Sequence, residues 1–318
     1  MSTEAVLLAE RHWQAQARIG AGVAAESLTA WSRVSPLTLT QSGTAWLAVV
    51  LAVIRRERTR SRDTAAAFYR LHRALETGRT VPPLHGGYAV RTVPLADLRA
   101  EWARVSGDPA SEGHRDRPII LDPFDWPTPD PDDHEAAART SLAVTGIVQA
   151  QQAADQVTAD HGTRLDAADF LADLDQVMGN AGATAAGAAD REALRGGRDL
   201  ISTASRADTR VLGWARITDG DPCAFCAMLA SRGAVYKSRE SAALIDADAP
   251  PVAHEDMEKF HAMCHCQTVP VYSRSQMMPR ESEKYRQEWT SATRGLTGKD
   301  ALAAWRKHIA AQRRTARG

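Results

Sequence analysis

All four cysteines of this chain fall within one stretch of 44 residues, as two short-range sets: Cys223-Ala-Phe-Cys226 and His261-Ala-Met-Cys264-His265-Cys266. No other feature restricts the fold so strongly. Two cysteines three apart place both sulfurs on one ion, because the tight turn between them aims them the same way. The second set follows after 34 intervening residues. Paired short-range motifs joined by a longer loop match the tetrahedral demand of zinc for four soft or borderline ligands.

The chain opens with Glu4, Glu10 and Arg11 before any long apolar run, which does not read as a signal peptide. A cytoplasmic origin is therefore expected, where thiols stay reduced and clustered cysteines point to metal rather than to disulfides. Six side chains compete for four positions. Cys223 and Cys226 are the firmest. Cys264 and Cys266 lie two apart, so a regular strand would hold them well separated, and a local turn is needed to bring both to one ion. The preferred set is Cys223, Cys226, His261 and Cys266, with an all-cysteine set close behind. His265 is the weakest candidate and is expected to face solvent. The role assigned to the ion is structural Zn2+. A catalytic zinc needs an open position and a general base, and nothing fixes Glu255, Asp256 or Glu258 beside a metal-bound water. A redox pair would need βαβ surroundings that the flanking sequence lacks.

The fold class expected is mainly α, with a small α+β zinc-stabilised module in the C-terminal half. Heavy use of alanine favours helix. Helical spacing of apolar residues runs from Ala5 to about Arg79, through Trp46, Val50 and Ile54, to Phe68, Leu71 and Leu75. The most hydrophobic run, Ala45 to Ile54, is about half of a membrane span and reads as buried helix core. Prolines at 94, 109, 118, 123, 127, 129 and 131 argue against long regular elements between Pro82 and Pro131. Helix is expected again from His134 to about Met178. The small residues from Gly179 to Ala189 read as a flexible joint, with a close-packed helix as the alternative. A further helix is expected from Arg191 to about Leu212. Short strands are expected at Trp214–Thr218, Val235–Tyr236 and Gln267–Tyr272, with a turn at Asp219-Gly220-Asp221-Pro222 and helix from Glu281 onward. These readings divide the chain into 1–132, a helical domain with a Pro-rich linker; 133–212, a helical segment; 213–275, the zinc-binding module; and 276–318, a helical tail.

Lys and Arg balance Asp and Glu at 39 each, so the chain as a whole is no electrostatic binder of nucleic acid. The charge is uneven, however. Arg55, Arg56, Arg58, Arg60 and Arg62 crowd one stretch, and Arg306, Lys307, Arg313, Arg314 and Arg317 close the chain. Such blocks more often form solvated helix faces than phosphate contacts.

The run Ile217-Thr-Asp-Gly-Asp-Pro-Cys223-Ala-Phe-Cys226-Ala-Met-Leu-Ala, with Phe260-His261-Ala-Met-Cys264-His265-Cys266, resembles the phage Mu protein F-like minor head family, in the form found in actinobacterial siphophages. The helical first half and the closing Gly298-Lys299-Asp300-Ala301-Leu302 segment are similar too. His265 stands where that family often carries a small or basic residue. The resemblance implies a minor capsid protein, present in a few copies in the virion head interior near the portal after a stage in the host cytoplasm. The partners it implies are the portal protein and the scaffold or major capsid protein; the arginine clusters separately allow weak non-specific DNA contact, which makes a DNA-contacting virion protein one alternative, and no membrane is expected.

An enzymatic alternative, a capsid maturation protease, would draw on Ser35, Ser42 or Ser202 with His72, His85 or His161. No nucleophile-elbow motif surrounds these serines and no HExxH pattern occurs, so no catalytic residue is assigned.

Overall fold

The structure, a computed structural model, describes residues 2–86, 90–108, 116–127, 131–162, 168–218, 220–236, 260, 264–276 and 280–317. It is mainly helical, with a few short strands and a cysteine cluster in the C-terminal half. Its centre is three long helices packed side by side: α1 (Thr3–Trp31), α2 (Leu39–Thr77) and α6 (Ala168–Ala207). Ser2 caps α1 by accepting from the Ala5 N–H, and Gly78 ends α2 in the left-handed conformation at φ 69°.

By length and composition alone α2 could cross a membrane. Within the fold, Trp46, Leu47, Val50, Leu51, Val53 and Ile54 are instead buried among Val23, Trp31, Ala181, Ala185 and Ala189 from the two neighbouring helices. The apolar run is core.

Small residues let these helices approach closely. The Gly179–Ala189 stretch is not a joint: α6 runs through it without a break. Gly182 sits against the Trp31 indole, where an added Cβ would lie 2.4 Å from a ring carbon. At Gly196 an added Cβ would lie 2.4 Å from the Arg58 carbonyl oxygen. These glycines give up some helix propensity so that two backbones can come together.

The Pro-rich stretch is also more regular than its prolines suggest. Between β1 (Arg79–Thr80), β2 (Thr92–Pro94) and β3 (Pro118–Leu121), which form a sheet in the order β1-β3-β2, lies the twelve-residue helix α3 (Leu95–Ser106). Pro94 precedes its first turn, where a missing N–H costs nothing, and Gly107 closes it at φ 74°. Leu95, Leu98 and Trp102 bury one face of α3 against Leu8, Phe68 and Leu71. Helices α4 (Pro131–Leu142) and α5 (Gln149–His161) follow, joined by a π-helical turn at Ala143–Val148. Ala138, Leu142 and Ala150 enter the core shared by α1, α2 and α6, so residues on both sides of position 133 fill a common interior.

A second sheet, ordered β5-β4-β6, carries the cysteine region: β4 (Gly213–Ile217), β5 (Ala234–Tyr236) and β6 (Gln267–Val271), all antiparallel. β6 is an edge strand, which is why Pro270 is tolerated opposite Trp214. Ala215, Val269 and Val271 pack on Leu200 and Ile201 near the end of α6. The short helix α7 (Ala224–Ala230) lies between β4 and β5 and is covered by α8 (Arg280–Ala292) and α9 (Gly298–Arg317). Trp305 of α9 is buried there and donates its indole N–H to the Ala224 carbonyl at 2.7 Å. Arg313 pairs with Asp221 at 2.7 Å. Residues 280–317 thus dock on the cysteine region.

Buried ion pairs join the sheet-bearing half to α2. Arg73 and Asp208, with side chains 3% and 2% exposed, meet at 2.7 Å, and Tyr69 donates to Asp208 at 3.0 Å. Burial works against the Asp208 charge, but the hydrogen bonds from Arg73 and the Arg210 N–H hold its carboxyl below the usual range.

Candidate metal centre

Three elements bring the cysteines together. Gly220 takes φ 82° in the turn after β4, a conformation that favours glycine, and Pro222 then leads into α7. Cys223 is the N-cap residue of α7, and its sulfur accepts from the Cys226 N–H at 3.4 Å. Cys226 sits one turn into the helix and is fully buried. Cys264 and Cys266 lie in the irregular stretch just before β6, each 2% exposed. Residues 264–266 are irregular rather than strand, and both sulfurs reach the same group.

The Cys226, Cys264 and Cys266 sulfurs all lie within 4.8 Å of one another, and Cys226 Sγ is 3.4 Å from Cys264 Sγ. That is far beyond the roughly 2.05 Å of a disulfide, and no disulfide joins any of the four cysteines. A tetrahedral zinc site with Zn–S bonds of about 2.3 Å puts its sulfurs about 3.8 Å apart. The observed spacing falls in that range. Cys223, half-buried, packs against the same group together with Phe260. Hydrogen bonding of Cys226 to Cys223, then to Cys264 and Cys266, together with burial, pushes the Cys226 thiol far up from its ordinary value. A cation is the partner that would let these sulfurs sit together as thiolates.

Of the five ligand candidates, the structure brings four to one place: Cys223, Cys226, Cys264 and Cys266. His261 lies outside the described residues, as do Glu255, Asp256 and Glu258. His265 is half-buried rather than open to solvent.

Two arginines accompany the sulfurs, and nothing in the spacing of the cysteines announced them. Arg216, fully buried on β4, places Nη1 3.7 Å from Cys226 Sγ. Arg198, 3% exposed on α6, donates to the Cys264 carbonyl. Their guanidinium carbons lie 4.2 Å and 4.0 Å from the centroid of the Phe260 ring, so one aromatic ring serves two cations. Desolvation lowers the Arg198 pKa, and the neighbouring Cys264 and Asp190 work in the opposite direction. The one available signal was Arg216 itself, a charge within the otherwise apolar strand Gly-Trp-Ala-Arg-Ile.

The structure also locates the serines and histidines of the protease reading. Ser35 caps the 3-10 turn at Pro36–Thr38, and Ser42 donates to the Thr38 carbonyl at 2.9 Å. Ser202 accepts from Arg206 at 3.1 Å. His72 is buried beside Phe68 and Tyr272, His85 meets Asp63 at 3.0 Å, and His161 meets Asp173 at 2.9 Å.

The family model described as VG15 protein matches residues 126–292, more than half of the chain, and these residues include every cysteine and both arginines. The chain belongs to the VG15 protein family. Two curated phage proteins are similar to this VG15 chain. The Gene 15 protein of Mycobacterium phage L5 is 33% identical over 109 residues, covering 26% of this chain and 37% of the phage protein. The Gene 15 protein of Mycobacterium phage D29 is 38% identical over 102 residues, with the same coverages of 26% and 37%. The chain therefore spans little more than a third of the length of the curated relatives it matches. No solved structure matches it. These comparisons support a phage-encoded protein.

Proposed function

We propose that this protein is a non-enzymatic minor capsid component of a tailed phage, of the Mu protein F-like kind, whose C-terminal module is held by a structural zinc ion. The observation that carries the reading is the convergence of the buried Cys226, Cys264 and Cys266 sulfurs, with Cys223 beside them. The strands around them are five residues or fewer and take their apolar contacts largely from α6. Binding energy from an ion shared by α7 and the approach to β6 becomes folding energy for that module.

The ligand set favoured is Cys223, Cys226, Cys264 and Cys266. Zinc held by four thiolates carries two net negative charges, and Arg198 and Arg216 bring two positive charges into the same interior. Three of these sulfurs lie within 4.8 Å of one another and Cys223 packs beside them. His261→Ala should therefore keep about one zinc per chain, and Cys264→Ser should lose it, as read by metal analysis under reducing conditions. Retained zinc in Cys264→Ser overturns the ligand set. Less than about half a zinc per wild-type chain overturns the site itself.

The partners proposed are the portal protein and the scaffold or major capsid protein, with the protein residing in the head interior near the portal. Long helices that expose charged faces while a stapled module packs at one end suit an assembly role. Co-purification with the phage portal protein tests it, and a chain that elutes alone at micromolar concentrations of both counts against it.

A further inference from the structure

The arginine block of α2 divides in two in the fold. Arg56 and Arg60 are engaged with acids of their own: Arg56 meets Glu26 at 2.6 Å and Glu57 at 2.7 Å, and Arg60 meets Glu57 at 3.6 Å. Arg55, Arg58 and Arg62 recur at helical spacing on another face, and that face lines a cleft of about 560 Å³. Across the cleft α6 presents Arg195 and Arg206, and α4 contributes His134 and Glu135. Five arginines thus line the cleft with two carboxylates, Glu135 and Asp199, while the buried Glu192 lies 3.7 Å from Arg58 and 3.8 Å from Arg195. Glu135 is engaged by Arg55 at 2.9 Å, and Asp199 by Arg195 at 3.1 Å. The Arg62 Nε is buried with no hydrogen-bond partner among the described residues. A buried guanidinium donor left unmatched is costly, and an anion in the cleft would satisfy it.

We propose that this cleft binds the phosphate of a nucleotide unit, with Arg62 as its central contact. Guanidinium groups match phosphate oxygens in pairs, and arginines converging from α2 and α6 surround an anion rather than touch it from one side. The cleft is larger than a phosphate group requires, and Pro127, Gly196 and Leu200 give its wall an apolar portion for a sugar or base. Free nucleotides and the nucleotides of a DNA strand share this chemistry. The site involves none of the cysteines, so it stands or falls independently of the zinc.

The test uses the full-length protein with a fluorescein-labelled thymidine oligonucleotide, read by anisotropy across a salt series. Arg62→Gln should weaken binding about tenfold and lower the slope of log affinity against log salt by about one, while Arg60→Gln leaves both unchanged. Competition by unlabelled thymidine monophosphate at millimolar concentration assigns the free nucleotide as source, and competition only by single-stranded DNA assigns the strand. Three results overturn the proposal: no binding at low salt by any of these probes, equal losses in Arg62→Gln and Arg60→Gln, or an oligoglutamate peptide that competes as well as the nucleic acid. Arg62→Lys separates charge from shape. It should restore the salt slope but not the full affinity, because an ammonium cannot donate in parallel pairs.

Discussion

The three-helix body and the cysteine module solve the same problem with different means. In the body, α1, α2 and α6 bury a continuous interior of alanine, leucine, valine and tryptophan, and glycines at the crossings let backbones approach to contact distance. In the module, β4, β5 and β6 are short, and Trp214 and Leu229 make up a small apolar cluster. Its other apolar contacts come from α6 and from Tyr285, Trp305 and Ile309, and what it has that the body lacks is a set of sulfurs with two buried arginines around one phenylalanine. A long amphipathic helix gains stability in proportion to the surface it covers, whereas a module of short strands has too little surface and depends on a few strong interactions. The body should therefore tolerate gradual change and the module should fail abruptly.

The sharpest way to break that contrast is Cys226→Ser. Loss of the ion should open 213–236 and 264–272 to hydrogen exchange while α1 and α2 remain protected, and chelation of the wild-type protein should reproduce the effect. Uniform loss of protection across both regions would make them one cooperative unit and end the comparison. The next largest effect is expected at the tie between them. Asp208→Ala leaves Arg73 buried with Asp122 as its carboxylate partner and should cost about 2–3 kcal/mol in chemical denaturation.

Acid should act on the body through His12 and His72. Burial holds both at about 3, and for His12 the proximity of His72 adds to this. They are neutral in the folded chain and take up protons on unfolding, so their contribution is fully present above the ordinary value of 6.5 and is lost as pH falls from there towards 3. Thermal unfolding followed by helical circular dichroism should show a falling midpoint across that window. His72→Leu, which replaces a ring with no hydrogen-bond partner on either nitrogen among the described residues, should flatten the fall. Finer still is a pair of glycine substitutions. Gly196→Ala should destabilise by about 1–3 kcal/mol, since the new methyl meets the Arg58 backbone. Gly22→Ala, on an exposed turn of α1 with nothing within 4 Å, should stabilise by about 0.5–1 kcal/mol.

Much of this could be seen without coordinates where cause and effect lie close along the chain. Helical periodicity announced α1 and α2, and a turn signal preceded Cys223. Short extended runs marked β4 and β6. The readings that failed share one reason: they judged small or cyclic residues by local propensity alone. Gly182 weakens an isolated helix, yet Trp31, 151 positions earlier, occupies the space that its missing side chain leaves. Pro94 discourages helix at its own position but is well placed just before one.

The sequence by itself determined which residues could form helices and which cysteines fall in close pairs, because both follow from spacings of two to four residues. Tertiary structure alone decided that the two sets of sulfurs meet, that Arg198 and Arg216 flank them, and that three of the five arginines of the block on α2 face α6 across a cleft. Those meetings join positions far apart in the chain. They depend on how packed helices cross, a choice made by the fit of whole faces and not by any local pattern.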